Sequence, residues 1–152
     1  MIKNATIDFK SNEQLEFRDI TDEVEKFVKE TKIKNGSVLV FSTHTTLAIC
    51  INEKEKGIVK DFKNLINRLI PKDDYYCHND LNIRTENLVC QSAASDCLNG
   101  HSHCTHLLMR NSETVPIIDG KMVLGIWQKI FAIELDCCRP RKILLQVIGE
   151  TN

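Results

Sequence analysis

Residues 37–51 read SVLVFSTHTTLAICI, and they indicate that this chain is built on a β-sheet. Two short apolar runs, 37–42 and 47–51, flank the polar tetrapeptide Thr43-His44-Thr45-Thr46. Apolar runs of this length that are rich in Val, Ile and Leu are typical of buried strands. The sequence therefore predicts two strands with a histidine at the turn between them.

An amphipathic helix is predicted on each side of these strands. Upstream, Thr21 is a candidate N-cap, apolar residues follow it at helical spacing, and Asn35-Gly36 ends a helix that covers residues 21 to about 32. Downstream, Pro71 stops a second helix. Its apolar stripe consists of Ile58, Phe62, Leu65, Ile66 and Leu69.

Further strands are predicted at both ends of the chain. Residues 5–9 and 14–18 alternate in polarity around a polar turn, which predicts an N-terminal hairpin. Asp119-Gly120 separates two apolar runs and is a strong type I′ hairpin signal. Two more strands are predicted over 129–135 and 142–148. Between the two halves lies a polar region, 72–101, followed by a short helix over about 102–109.

Runs of strands dominate this order, and regular β-α-β-α alternation is absent, which favours the α+β class over a doubly wound sheet. The length of 152 residues is that of one ordinary domain, so we expect residues 1–152 to form a single domain. A domain of this size buries enough surface to fold without disulfides or a structural metal.

Composition excludes several classes of protein. The net charge of −1 argues against a general nucleic-acid binder. No window approaches the roughly 18 consecutive apolar residues that a membrane span needs. The start, MIKNATIDFK, lacks the apolar core of a signal peptide, so we expect a cytoplasmic protein whose seven cysteines are reduced thiols.

All five histidines fall between positions 44 and 106. Imidazole is a common ligand of zinc and similar metals, and catalytic metal sites typically take three protein ligands from separate segments. His44, His78 and one member of the 101–106 cluster suit that arrangement. The alternative is that these histidines cap helices or bond to backbone carbonyls.

Several other polar residues interrupt apolar segments. Glu134 and Glu53 are each a candidate metal ligand or general base. The alternatives are a solvent-facing strand position for Glu134 and a favourable helix-dipole position for Glu53. Arg139 and Arg141 flank Pro140 and could bind phosphate with their planar guanidinium groups, or they could belong to a solvated loop. For Trp127, core packing is the default explanation.

Several motifs follow one another in a fixed order along the chain. They are Phe41-x-x-His44-Thr45-Thr46, Ile51-Asn52-Glu53, Tyr76-x-His78-Asn79-Asp80, Asn99-Gly100-His101-Ser102-His103, Leu124-Gly125-x-Trp127-Gln128, Glu134-x-Asp136 and Arg139-x-Arg141. This series resembles the YjbQ family, also called the secondary thiamine-phosphate synthase family, from about residue 21 to residue 149. Such a series is far more specific than any single motif.

The resemblance implies a fold and a site. The fold would be a strongly curved, barrel-like mixed sheet with two main helices and one short helix, in a homotrimer. The metal ligands would be His44, His78 and His103; the histidines favour zinc, and magnesium is possible with a diphosphate substrate. The same site would be lined by Glu53, Glu134, Arg139 and Arg141 as catalytic residues and by Asn99, Trp127 and Gln128 as substrate-binding residues.

The resemblance also implies an activity. A thiazole phosphate would attack the methylene of a pyrimidine diphosphate, and pyrophosphate would leave. Because histidine-rich sites suit metal-activated water better than magnesium diphosphates, this synthase reaction would be secondary to another one. Two alternatives stay open: a metal-dependent hydrolase of a phosphate ester or related metabolite, and a non-catalytic metabolite-binding module.

Overall fold

The structure is a computed structural model that describes residues 1–88 and 98–151. Its strands are β1 Ile2–Lys10, β2 Phe17–Asp19, β3 Asn35–Ser42, β4 Leu47–Glu53, β5 Ser112–Ile118, β6 Lys121–Met122, β7 Gln128–Glu134 and β8 Pro140–Glu150. Its α-helices are α1 Thr21–Thr31, α2 Lys56–Leu69 and α3 Gly100–Leu108, and a 3-10 helix covers Cys77–Asn79. Part of the polar region predicted over 72–101, and with it Cys90 and Cys97, lies outside the described residues.

The strands form a curled, half-barrel antiparallel sheet, which confirms the α+β class and the curvature. One ladder has the order β1-β8-β3-β5-β6, and a second has the order β2-β7-β4. All the strand pairs in the described residues are antiparallel, so the expectation of a mixed sheet is wrong in that detail.

The prediction of an N-terminal hairpin is also wrong. β1 pairs with β8, where Ala5 lies opposite Leu145, and β2 pairs with β7, where Arg18 lies opposite Ala132. Alternating polarity is a local property that predicts a strand without selecting its partner. At the other end of the chain the predicted turn is confirmed, since Asp119 and Gly120 have the positive φ angles of 51° and 76° that a type I′ turn requires.

The bounds of α1 agree with the predicted 21 to about 32, but the residues that cap it differ from the prediction. Helix α1 begins at Thr21, and Asp19 rather than Thr21 satisfies the first turn by accepting hydrogen bonds from the Thr21 backbone N–H at 3.0 Å and hydroxyl at 2.6 Å. The helix ends at Thr31, and its C-cap residue, Lys32, adopts the left-handed conformation with φ 59°. Asn35-Gly36 instead starts β3.

Two apolar clusters hold the helices on the sheet. The larger cluster packs Val24 and Val28 of α1 against inward-facing residues of β3 and β8, such as Val40 and Leu145. The smaller cluster packs Phe62 of α2 edge-on against Phe17, with ring centroids 5.3 Å apart. Fully burying one such side chain stabilises the fold by about 1.5–3 kcal/mol.

This packing leaves the polar connections at one end of the strands together. The β3–β4 turn and the β7–β8 connection come close because Leu47 lies opposite Glu134, and Ser42 lies opposite Ile143. The 3-10 helix and α3 join them there, since Asn99 bonds to Asp136. Within the described residues no helix is long and apolar enough to cross a bilayer.

Candidate functional site

A cavity of about 830 Å³ opens at this end of the strands, which is the size of a small-molecule site. Three histidines and three arginines from distant parts of the chain share its wall. The lining residues are Thr43, His44, Thr45, Thr46, His78, Arg84, Asn87, Asn99, His103, Asp136, Arg139, Pro140 and Arg141. Six of the ten predicted site residues therefore line one cavity, and Glu134 lies directly behind it.

Arg141 is the most buried of the arginines that line this cavity. Its Nε donates to Glu134 Oε2 at 2.6 Å, and its Nη2 donates both to Glu134 Oε1 and to Thr46 Oγ1, the latter at 3.0 Å. The remaining nitrogen, Nη1, makes no hydrogen bond within the described residues, yet it retains contact with solvent. Because Arg141 lines the cavity, Nη1 is a donor available to a ligand.

Glu134 is 1% exposed, so the solvent-facing alternative for this residue is wrong. Besides Arg141, its carboxylate accepts a hydrogen bond from the Ser11 hydroxyl at 2.6 Å and another from the Asp136 backbone N–H at 2.9 Å. Four hydrogen bonds occupy the two carboxylate oxygens. The immediate effect of Glu134 is therefore to orient Arg141.

Asp136, which also lines the cavity, orients Arg139 and Asn99 in the way that Glu134 orients Arg141. Its Oδ2 accepts hydrogen bonds from Arg139 Nε at 2.7 Å and from Asn99 Nδ2 at 2.8 Å. The carboxylate accepts only, so the amide nitrogen of Asn99 must face it and the amide oxygen must face the other way. That oxygen lies 3.1 Å from His78 Nε2. Asp136 thus links the β7–β8 connection to the histidines.

His78 and His103 come together because the 3-10 helix packs tightly against the start of α3. The side-chain oxygen of Asn79 accepts a hydrogen bond from the Gly100 backbone N–H at 2.8 Å. A Cβ on Gly100 would lie 2.6 Å from Cβ of Tyr76, closer than side chains tolerate. The rings of His78 and His103 consequently lie with their centroids 4.5 Å apart and their planes at 50°.

His44 lines the same cavity from the β3–β4 turn, but its Nε2 already accepts a hydrogen bond from the Lys142 backbone N–H at 2.9 Å. Among residues 1–88 and 98–151, no three His, Cys, Asp or Glu side chains are arranged to hold a metal ion. The predicted ligand types suit zinc, and two of the three face each other, so they fit this metal in chemistry. The Nε2 atoms of His44 and His78 are already engaged, so either residue would ligate a metal through Nδ1 or by giving up its present Nε2 contact.

The environment of these histidines favours their neutral form. Burial lowers the pKa of His44, and the Arg141 guanidinium adds to this effect. Burial also lowers the pKa of His78, with a further contribution from Arg84. The pKa of His103 is lowered by burial and by His78, against the opposing charge of Asp136. A neutral imidazole retains the lone pair that accepts a proton or binds a metal.

Glu53, Trp127 and Gln128 are not brought to the cavity. In the β4–β7 ladder, Leu47 lies opposite Glu134 and Glu53 lies opposite Gln128. Six residues of extended strand separate the two ends, which is about 20 Å. Trp127 is 67% exposed, so core packing does not explain it. The predicted site residues therefore form two groups at opposite ends of one ladder within the subunit.

Sequence reasoning missed several residues of the cavity as site residues. Asp136 stood in the quoted motif Glu134-x-Asp136, so a signal for it was present. Arg84 is a possible anion contact by residue type, but it follows His78 by six positions in a polar loop, a spacing that predicts no contact between them. Ser11, which lies outside the cavity lining and supports Glu134 behind it, resembled an ordinary turn residue and gave no signal.

The five cysteines of the described ranges are not among the residues that line the cavity. Cys50, Cys77, Cys104, Cys137 and Cys138 are free thiols, as expected for reduced cysteines. Burial raises the pKa of Cys50 to about 11, so this thiol is unreactive at neutral pH.

Comparison with known proteins gives one consistent result. A family model described as UPF0047 protein YjbQ-like matches residues 5–150. A UPF0047 protein of Methanothermobacter thermautotrophicus is 36% identical over 141 residues, which covers 93% of this chain and 88% of the relative. The UPF0047 protein YugU of Bacillus subtilis is 31% identical over 144 residues, which covers 95% of this chain and 98% of the relative.

Solved structures agree with the sequence comparison. A YbjQ-like protein of unknown function from Sulfolobus solfataricus superposes with a TM-score of 0.80 at 32% identity, covering 99% of this chain and 100% of the other. A YjbQ/UPF0047 family protein from Clostridium acetobutylicum superposes with a TM-score of 0.80 at 30% identity, covering 95% of this chain and 99% of the other. On this evidence, the chain belongs to the YjbQ-like UPF0047 family.

Proposed function

We propose that this protein is an enzyme that acts on phosphorylated small molecules, with Arg141 as its principal phosphate-binding residue. The observation that supports this most directly is the buried Arg141–Glu134 pair, which leaves Nη1 of Arg141 available in the cavity. Its named activity, carried by the family resemblance, is the coupling of a thiazole phosphate with a pyrimidine diphosphate.

Stability alone is a poor explanation of this pair. Removing two charges from water costs several kcal/mol per ion, and apolar replacements of buried pairs are often as stable or more stable. A buried guanidinium with an available edge is instead well suited to bind an anion, because its orientation is fixed before the ligand arrives. The pair therefore supports a binding role.

The same cavity offers what a group transfer to or from a phosphorylated compound requires. Arg141 and Arg139 can neutralise the negative charge that develops on a leaving diphosphate. His78 and His103, whose pKa values are lowered, keep the lone pairs that a metal ion at the reacting centre would use. Alignment of two reactants within one walled cavity lowers the entropic part of the barrier.

A divalent metal is part of the proposal, with His44, His78 and His103 as the residues that would hold it. Imidazole ligands favour zinc, although magnesium remains compatible with a diphosphate substrate. Such a metal would act as a Lewis acid toward a phosphoryl oxygen or bound water. Elemental analysis of untagged protein, compared with the three His→Ala variants, tests this part separately.

A homotrimer and a cytoplasmic location complete the proposal. Ile126 and Trp127 are 86% and 67% exposed, as apolar side chains are when a partner covers them. A neighbouring subunit could also supply Glu53, Trp127 and Gln128 to the cavity. Free thiols and phosphorylated substrates are both typical of the cytoplasm.

The decisive experiment measures binding before turnover. Calorimetric titration of the whole protein with pyrophosphate should show binding that Arg141→Gln weakens by at least roughly tenfold, which corresponds to about 1.4 kcal/mol. Arg110→Gln is the matched control, because Arg110 is 78% exposed and lies outside the cavity. Equal binding by wild type and Arg141→Gln would refute the proposal.

Coupling of the two thiamine halves by metal-loaded protein, with His103→Ala as the comparison, then tests the named activity.

A metal-dependent phosphate-ester hydrolase is the second candidate. The observation that favours it is the pair of neutral histidines in a cavity that is open to water. A screen of phosphate esters with and without chelator separates hydrolysis from transfer, and chelator-insensitive turnover would count against both. A tightly bound metabolite that is never turned over would instead indicate a binding module.

A further inference from the structure

Arg84 covers His78 from the loop that follows the 3-10 helix. Its Nη1 donates to His78 Nε2 at 3.0 Å and to the His78 carbonyl oxygen at 3.1 Å. Its Nη2 donates to the Asn87 carbonyl at 3.0 Å, and its Nε donates to the Glu86 carbonyl at 3.3 Å. The guanidinium thus holds the loop and the imidazole together.

This arrangement makes incompatible demands on one nitrogen. An arginine only donates hydrogen bonds, so His78 Nε2 must accept from Arg84. The Asn99 Oδ1 atom, 3.1 Å from the same Nε2, only accepts, so it requires Nε2 to donate. Because Asp136 fixes the orientation of the Asn99 amide, Nε2 can satisfy one neighbour at a time.

An anion in the cavity changes the balance between these neighbours. Arg84 lines the same cavity as Arg139 and Arg141. A phosphate group held by Nη1 of Arg141 therefore places further charged oxygen atoms in the cavity that Arg84 lines. A hydrogen bond from guanidinium to phosphate is roughly twice as strong as one between neutral groups. A phosphate is therefore a stronger partner for Arg84 than a neutral imidazole is.

We propose that Arg84 is a second anion-binding residue, which leaves His78 when a phosphate group enters and so removes the cation that competes with a divalent metal for the Nε2 lone pair. The inference rests on the proposed function, because it requires that the cavity binds phosphate. It adds a linkage: anion and metal bind more tightly together than separately. Such coupling is reciprocal, so each ligand raises the affinity of the other by the same factor.

The linkage can be measured without any turnover. Whole protein is titrated with Co²⁺, whose visible spectrum reports coordination, in the absence and presence of methylphosphonate as a soluble phosphate-monoester analogue. In wild type, we expect methylphosphonate to tighten Co²⁺ binding within the roughly 5–150-fold range of known couplings. In Arg84→Gln, Co²⁺ should bind more tightly than in wild type when no anion is present. Methylphosphonate should then change the Co²⁺ affinity of this variant by less than about twofold.

The control is Arg110→Gln, which removes an exposed guanidinium outside the cavity and should behave as wild type. Histidine ring ¹⁵N spectra of metal-free wild type give a second measurement that needs no variant, since methylphosphonate should shift the Nε2 resonance of His78. An unshifted resonance, or an Arg84→Gln protein with wild-type Co²⁺ affinity and coupling, would overturn the inference alone. Failure of wild type to bind methylphosphonate at all would overturn the proposed function as well.

Discussion

Arg141 and Glu134 share two hydrogen bonds in the interior of the protein, where their side chains are only 3% and 1% exposed. They lie on the neighbouring chain segments of β8 and the end of β7, so the backbone fixes both partners. The pair is oriented further by Thr46 on one side and Ser11 on the other. This degree of support is what keeps the guanidinium in a single position.

Removing one partner of this pair should be costly. We expect Arg141→Met to lower the free energy of unfolding by about 3–5 kcal/mol, because it leaves the Glu134 charge buried without its counterion. The double variant Glu134→Leu/Arg141→Met should recover part of that loss while still failing to bind pyrophosphate. Urea denaturation and calorimetry measure the two effects.

The control for this change is an exposed pair. Lys29 and Glu25 lie 2.9 Å apart on α1 with more than two fifths of each side chain exposed. Lys29→Met should cost less than about 0.5 kcal/mol, since solvent-exposed helix pairs contribute little. A loss below about 1 kcal/mol in Arg141→Met would contradict the role assigned to the buried pair.

A second prediction concerns the contact that brings the histidines together. Gly100→Ala should destabilise the protein by about 1–3 kcal/mol, because the new methyl group would collide with Tyr76. The 3-10 helix would then move away from α3, so Co²⁺ affinity should also fall. Urea denaturation and Co²⁺ titration test this.

Gly57→Ala is the matched helical substitution. Its new Cβ would lie 2.7 Å from the Glu55 carboxylate, which caps α2 by accepting hydrogen bonds from the Gly57 and Ile58 backbone N–H groups. The change should therefore cost no more than a lost cap, about 1 kcal/mol, and it should leave Co²⁺ affinity unchanged. If both alanine variants behaved alike, the tight contact at Gly100 would not be what positions His78.

A third prediction follows from the lowered pKa values of His44, His78 and His103. Below about pH 6.5 the unfolded chain binds more protons at these histidines than the folded protein does. Stability therefore rises with pH in this range: it is fully present above the ordinary histidine pKa of about 6.5 and is lost as the pH falls through the lowered values. Urea denaturation at about pH 7.5 and about pH 5.5 should show the loss.

His103→Asn should reduce this pH dependence, because one of the contributing groups is gone. Carboxylates that titrate at lower pH are unaffected by the change, so the comparison isolates the histidine contribution. Ring proton shifts followed by NMR give the pKa of each histidine directly. Values at or above about 6.5 for all three would disprove the prediction.

The sequence predicted the strands and helices well because each one is encoded locally. The apolar runs before and after His44 became β3 and β4, and the stripe ending at Leu69 became α2. Strand pairing depends on distant segments, so the alternation of residues 5–9 and 14–18 did not reveal that β1 pairs with β8 and β2 with β7.

The candidate site was predictable only in part, for a similar reason. His44, His78 and His103 share a cavity, as the motif series suggested. The contacts of Arg84 and Ser11 depend on how loops fold back on the sheet, which no spacing rule describes. Motif order also gave no distance, and so Glu53 and Glu134 were grouped although the ladder separates them.

A fourth prediction concerns self-association. Light scattering of the purified protein at micromolar concentration should give the mass of a trimer, and Trp127→Ala should shift it toward the monomer because a large apolar contact is lost. Ile2→Ala, which shortens a 62% exposed side chain on β1, is the control. A monomeric wild type would remove the trimer from the proposal.

The length of the β4–β7 ladder has a genetic consequence. A ligand shorter than about 20 Å cannot reach both ends of this ladder, Glu134 and Gln128, in the same chain. If activity needs both, a His103→Ala chain and a Trp127→Ala chain are each inactive alone, yet each retains one intact end. Co-expressed in one cell, the two variants would form mixed oligomers. At some subunit interfaces, the intact His103 end of one chain would meet the intact Trp127 end of another, and activity would return. A site confined to one chain would permit no such rescue.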